Sequence, residues 1–305
     1  MSRGSATKLP AIDPETDPGL AGVRRILFEW TAAAQKVLHG ERVRDANIHD
    51  ARKLLKKCRA ALKLLRGAIG EVAYHRENAA LRNTARPLGT ARDTRVLVLT
   101  LEDLIERFAS ATRSLQLEKF RRALRKDQKT ARQSITPALI NEQRNALREI
   151  SVRIARARMR GEDWSIIGGG LEHTYRRGKR AMLVSARTRA SEDLHDWRKQ
   201  VKYLWHQLQI LAPVCPEPVG KLAAQAHKLA ELLGDEHDLA VLRAAIGRHA
   251  DTLKVEHREA LIRLVERRRK RLQKKTFTLG ERLFLEKPRR FVSRIGRHWH
   301  SSGRE

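Results

Sequence analysis

The octamer His49-Asp50-Ala51-Arg52-Lys53-Leu54-Leu55-Lys56 recurs as His195-Asp196-Trp197-Arg198-Lys199-Gln200-Val201-Lys202, with five of eight positions identical. The apolar phase beyond it recurs as well: Leu55, Cys58, Leu62 and Leu65 answer to Val201, Leu204, Leu208 and Leu211. A second pair follows in the same order. Leu88-Gly89-Thr90-Ala91-Arg92-Asp93 leads to Val96-Leu97, and Leu233-Gly234-Asp235-Glu236-His237-Asp238 leads to Val241-Leu242. Two motifs repeated in order imply that a whole helical unit has been duplicated, which constrains the architecture more than any single motif.

Between its nine prolines the chain is rich in Ala, Leu, Arg, Lys and Glu, all good helix formers, and it has no alternating β-branched runs. The expected class is all-α. Helices are expected over 20–40, 45–68, 72–85, 88–110 and 114–133, with 138–160 as a connecting helix. Gly168, Gly169 and Gly170 are expected to mark a loop. A second set is expected over 171–187, 191–212, 217–233, 235–250 and 253–278, with a short helix in 281–299. Pro87 either kinks its helix or starts one. The implied organisation is a disordered tail (1–19), a first helical bundle with its connecting helix (20–160) and a second bundle (161–299).

At about 100° per residue, helix 45–68 splits into two faces. His49, Arg52, Lys53, Lys56 and Lys63 fall on one side with Arg59 at its edge, while Ile48, Ala51, Leu55, Cys58, Leu62 and Leu65 form an apolar stripe. In 191–212 the same plot gathers His195, Arg198, Lys199, Lys202 and His206, opposite Leu194, Trp197, Val201, Leu204, Leu208 and Leu211. Solvated helix faces usually interleave acids with bases, and like charges at i,i+4, such as Arg52/Lys56 and Arg198/Lys202, destabilise a helix. A repeated, uncompensated cationic stripe points to an anionic ligand. Arg offers a planar fork to phosphate oxygens, Lys a compact charge and His a donor that titrates near neutrality, so a row of them suits a chain of phosphates. Trp197 and Trp205 are assigned to the core. Arg24, Arg25, Arg176, Lys179 and Arg180 precede the two His helices and either extend the candidate groove or are solvated. The basic run 263–275 is read mainly as a solvated face.

The charge balance agrees: 64 Lys and Arg against 35 Asp and Glu leave a formal net charge of +29, which attracts polyanions. Two cysteines, Cys58 and Cys215, suit a reducing cytosol. The first twenty residues lack the apolar run of a signal peptide, and no stretch is long and apolar enough for a membrane span, so a cytoplasmic protein is expected. No Cys/His metal spacing and no Gly-rich phosphate loop followed by Lys-Ser/Thr occur, so neither a metal nor another cofactor is expected.

His49-Asp50-x-Arg52-Lys53-x-x-Lys56-Lys57-x-Arg59, its repeat His195-Asp196-Trp197-Arg198-Lys199-x-x-Lys202-Tyr203, and the paired Leu-Gly segments resemble the CHAD family, the conserved histidine α-helical domain, over residues 20–295. Tyr175-Arg176-Arg177-Gly178 and Gly280-Glu281-Arg282-Leu283-Phe284 extend the resemblance. It implies two helical bundles related by pseudo-two-fold symmetry about a basic cavity. It also implies non-catalytic binding of inorganic polyphosphate, association with polyphosphate granules, and polyphosphate-metabolising enzymes as partners. The expected binding set is His49, Arg52, Lys53, Lys56, Arg59, Lys63, Arg92, Arg176, Arg180, His195, Arg198, Lys199, Lys202, His206 and His237, with no catalytic residue. Nucleic acid is the rival polyanion, though few aromatics lie near the basic stripes. A metal-dependent HD-type phosphohydrolase is the rival enzyme, but Arg and Lys directly after the His-Asp pairs oppose a dication. A membrane surface is not an expected partner, because the apolar faces suit bundle cores.

Overall fold

The computed structural model describes residues 11–13, 19–40, 43–214 and 216–301, with side chains at all of them except Ala91 and Arg92. Most of the expected tail, Cys215 and the Arg92 side chain therefore lie outside the described residues. Thirteen α-helices and no strand occur among the described residues: α1 (Gly19–Val37), α2 (Asp45–Leu64), α3 (Arg66–Ile69), α4 (Glu71–Ala85), α5 (Gly89–Arg107), α6 (Ala109–Thr112), α7 (Glu118–Gln133), α8 (Pro137–Arg156), α9 (Asp163–Thr188), α10 (Ser191–Leu211), α11 (Pro216–Arg248), α12 (Val255–Leu283) and α13 (Pro288–Ser301). The protein is all-α, and no described helix is long and apolar enough to cross a membrane.

Local chemistry sets the helix ends. Thr136 caps α8 by accepting from the Leu139 N–H at 3.2 Å, with Pro137 in the first turn where its missing N–H is harmless. Pro87 neither kinks nor starts a helix; it stands in the turn between α4 and α5. The glycine run is not a loop. Gly168, Gly169 and Gly170 sit inside α9, and a Cβ at Gly170 would lie 2.5 Å from the Lys63 carbonyl oxygen and 2.8 Å from the Leu64 Cα. The glycine lets α9 cross directly on the backbone of α2. The helices expected over 217–233 and 235–250 are one 33-residue helix, α11, which runs through Gly234.

α1 packs on α2 and α8, and α9 packs on α10 and α13; α2 and α10 cross at the centre. α5 lies on α7, α11 lies on α12, and α5 meets α11. The larger core joins α1, α2, α4, α8, α9, α10, α13 and the first half of α11 around Trp30, Leu55, Tyr175, Trp197 and Leu204. The smaller joins α5, α7, α12 and the second half of α11 around Leu101, Phe120, Leu242 and Leu261. Each core draws helices from before and after residue 160, so packing does not divide where the sequence halves meet. α5 passes from one core to the other between Leu88 and Leu97, and α11 does so between Leu233 and Leu239. Both Leu-Gly segments therefore fall on the seam between the cores.

Candidate functional site

A cleft of about 330 Å3 opens at this seam. α2 supplies Arg52, Lys56 and Arg59, and α10 supplies His195, Arg198, Lys199, Lys202 and Tyr203. α5 adds Asp93, Val96 and Leu97; α11 adds His237, Asp238 and Val241. The apolar faces of α2 and α10 explain this convergence. Ile48, Ala51, Leu55, Cys58, Leu62 and Leu65 are buried, as are Leu194, Trp197, Val201, Leu204, Leu208 and Leu211, so each helix must turn its polar side outward. Because the two helices pack on each other, those sides meet.

The Leu-Gly motifs fit the arginines. Arg52 Nη1 donates to the carbonyl of Ala85, the last residue of α4, at 2.9 Å, and so satisfies a helix-end acceptor. Its Nη2 lies 3.7 Å from Asp93 Oδ1. A Cβ at Gly89 would come within 2.8 Å of Arg52 Nη1. In the second copy, a Cβ at Gly234 would sit 3.7 Å from Arg198 Nε and Nη2. Gly89 thus seats the Arg52 guanidinium against a bare backbone, whereas at Gly234 a methyl group would make only ordinary contact with Arg198.

The His195 and His237 rings face each other with centroids 4.3 Å apart. His195 Nδ1 is buried without a hydrogen-bond partner among the described residues. Burial, then Lys199, Arg198 and Lys56 against an opposing Asp196, hold His195 down to about 4. Burial, then Arg198, His195, Lys202 and Lys56, hold His237 down to about 3. Both imidazoles are therefore neutral at pH 7, inside a wall with six Lys and Arg side chains and two carboxylates.

The remaining expected residues divide. His49 is exposed and lines a neighbouring cleft with Asp50, Arg95 and Leu99. Lys53 is exposed and does not line the central cleft. Lys63 is buried: its Nζ donates to the Tyr74 hydroxyl at 3.1 Å and lies 4.8 Å from the centre of the Tyr203 ring. Burial, with Arg177, Arg59 and Arg66 nearby, pushes Lys63 down to about 8. His206 is buried too, stacked on Trp205 at 4.4 Å and bonded to Gln209, and burial holds it down to about 3. These positions correct the helical-wheel picture, in which His49, Lys53, Lys63 and His206 shared the cleft walls. A helix buried on more than one side hides cations that its own periodicity leaves outside.

Arg176 and Arg180 line a separate cleft. Arg25 bonds Glu29 and the Ala11 carbonyl, and Lys179 donates to the Leu285 and Glu286 carbonyls, so both tie chain segments together. Tyr175 stacks on Phe291 at 4.0 Å and donates to the Leu283 carbonyl. Within the basic run, Arg269 is buried on Glu236, with Nη2 to Oε1 at 2.8 Å. Sequence reasoning missed Val96, Leu97 and Val241 as lining residues, although their place after each Leu-Gly motif was the signal. Tyr203 also lines the cleft, with Arg59 over its ring at 5.5 Å.

Among the described residues no three His, Cys, Asp or Glu side chains gather as a metal-holding group. The cleft offers planar guanidinium forks, compact ammonium charges and neutral imidazole donors, which is the donor set for phosphate oxygens. No curated protein matches the chain. The model of the CHAD domain matches residues 21–247, most of the chain, and the protein belongs to that family.

Proposed function

We propose that the protein binds inorganic polyphosphate, without cleaving it, in the cleft between α2 and α10. One observation carries this reading: the cationic residues of two sequence repeats, far apart in the chain, line a single cleft. The duplicated contacts of Arg52 on Gly89 and Arg198 on Gly234 support a pseudo-two-fold relation between the repeats. A linear chain of phosphates passing along the seam meets forks and ammonium groups from both helices. The attraction is electrostatic and comes largely from counterion release. In this reading the protein is cytoplasmic, partitions onto polyphosphate granules and can bring polyphosphate-metabolising enzymes to them.

The test is calorimetry with polyphosphate of defined length on the wild-type chain and on the triple variant Lys56→Gln, Lys199→Gln, Lys202→Gln. Arg52 is left in place because it also caps α4. The variant is expected to keep its helicity and lose affinity, with the slope of log K against log salt reduced by roughly one unit per removed charge. Unchanged affinity and slope would refute the cleft as the site. Tighter binding of duplex or single-stranded nucleic acid at equal charge concentration would favour that polyanion instead. Phosphate release from polyphosphate on adding divalent ions would make the protein a hydrolase.

A further inference from the structure

The basic run of α12 forms a surface of its own. From Arg267 to Gly280 the helix carries no acid, and the preceding Glu259 and Glu266 are paired with Arg263 and with Arg243 and Arg269. At about 100° per residue, Arg267, Lys270, Arg271, Lys274 and Lys275 fall within one sector of about 140°. All five are exposed, and the opposite side of the helix buries Val265, Leu272 and Thr276. Arg189 extends this ridge. It closes α9 in the left-handed conformation at φ 53°, where Gly or Asn is the ordinary residue, and its guanidinium lies over the Phe277 ring of α12 at 3.9 Å. α7 shows the contrasting arrangement: its cations are interleaved with Glu118 and Asp127, which bond Arg121 and His249.

The ridge is separate from the central cleft. Among the described residues none of α12 lines that cleft. α11 packs on both α10 and α12; it gives His237, Asp238 and Val241 to the cleft and Glu236 to Arg269 of α12. Like charges at i,i+3 and i,i+4 along the ridge, such as Arg267/Lys270 and Arg271/Lys275, weaken the helix unless an anion relieves them. The exposed side chains from Arg267 to Thr278 are Arg, Lys and Thr, with no ring on which a base could stack. A bare phosphate chain therefore fits better than single-stranded nucleic acid.

We propose that the α12 ridge holds a second segment of polyphosphate, so that one molecule grips one strand in the cleft and another on its outside and thereby cross-links long chains. This rests on polyphosphate binding in the cleft. Long chains gain from the linkage of two contacts, and short chains do not.

Light scattering of the full chain mixed with long-chain polyphosphate reads cross-linking, while calorimetry with a short chain of defined length reads the cleft. The ridge variant Lys270→Gln, Arg271→Gln, Lys274→Gln, Lys275→Gln is compared with the α7 variant Lys119→Gln, Arg122→Gln, Lys126→Gln, Lys129→Gln, which removes the same charge from equally exposed positions. The wild type and the α7 variant are expected to condense long chains. The ridge variant is expected to lose condensation and to keep the wild-type affinity for the short chain. Condensation unchanged in the ridge variant, or absent in the wild type, would overturn the proposal. So would equal loss in both variants, because net charge alone would then drive it. Stronger condensation of single-stranded RNA than of polyphosphate at equal charge concentration, lost in the ridge variant, would assign the ridge to nucleic acid instead. A wild type that does not bind the short chain would sink the cleft reading, which separates that failure from failure of the ridge.

Discussion

His195 and His237 come from different motifs and meet ring to ring among cations, so on the proposed function a phosphate chain in the cleft would change their titration. In the free protein both are depressed below the ordinary histidine value of about 6.5, His195 to about 4 and His237 to about 3. A depressed histidine favours the fold in its neutral form. That contribution is full above about pH 6.5 and is lost as pH falls towards the folded values. Phosphate oxygens beside the rings reverse the field and favour the imidazolium, so binding takes up protons. Affinity for polyphosphate is expected to rise as pH is lowered from 7.5 to 5.5. Calorimetry in buffers of different ionisation heat should show net proton uptake, reduced in His237→Asn. Affinity independent of pH, with no uptake, would separate these rings from the ligand.

At the level of the helices, position depends on a few close crossings. Gly170 sets α9 on α2 so tightly that Gly170→Ala must push the Lys63 carbonyl aside. Overpacking of this kind costs about 1–3 kcal/mol, and thermal denaturation should register it as a lowered midpoint. A variant as stable as the wild type would show that the crossing has slack. α11 is held differently. Glu236 and Arg269 are both buried and bonded, with Gln273 and Ser191 joining them, so one turn of α11 is tied to α10 and α12 while its neighbours His237 and Asp238 line the cleft. The helical class, the apolar faces and the pairing of motifs were legible in the sequence because they are periodic or repeated. The continuity of α9 and α11 through glycine was not, since a glycine reads as a break until its packing partner is known.

For the molecule as a whole, a formal net charge of +29 works against compaction, and a bound polyanion relieves it. Because only the native fold presents the cleft, polyphosphate is expected to raise the melting temperature, with a gain that grows as the logarithm of its concentration above Kd. Raising salt from 50 mM towards 0.5 M should erase that gain through the counterion term. A stabilisation that survives high salt would point to contacts other than charge. The cleft's place between two cores also means that each wall rests on a different packed body.

The amino-acid sequence alone determined the all-helical class, the recurrence of two motifs in order and the side of α2 and α10 that carries cations, because helical period and repetition are local properties of the chain. Tertiary packing decided which of those cations face one another. It buried Lys63 and His206, turned His49 to another surface, set His195 against His237, and brought α9 opposite α10 to make the separate cleft of Arg176 and Arg180. Such choices depend on contacts between residues distant in sequence, and only the folded chain brings them together.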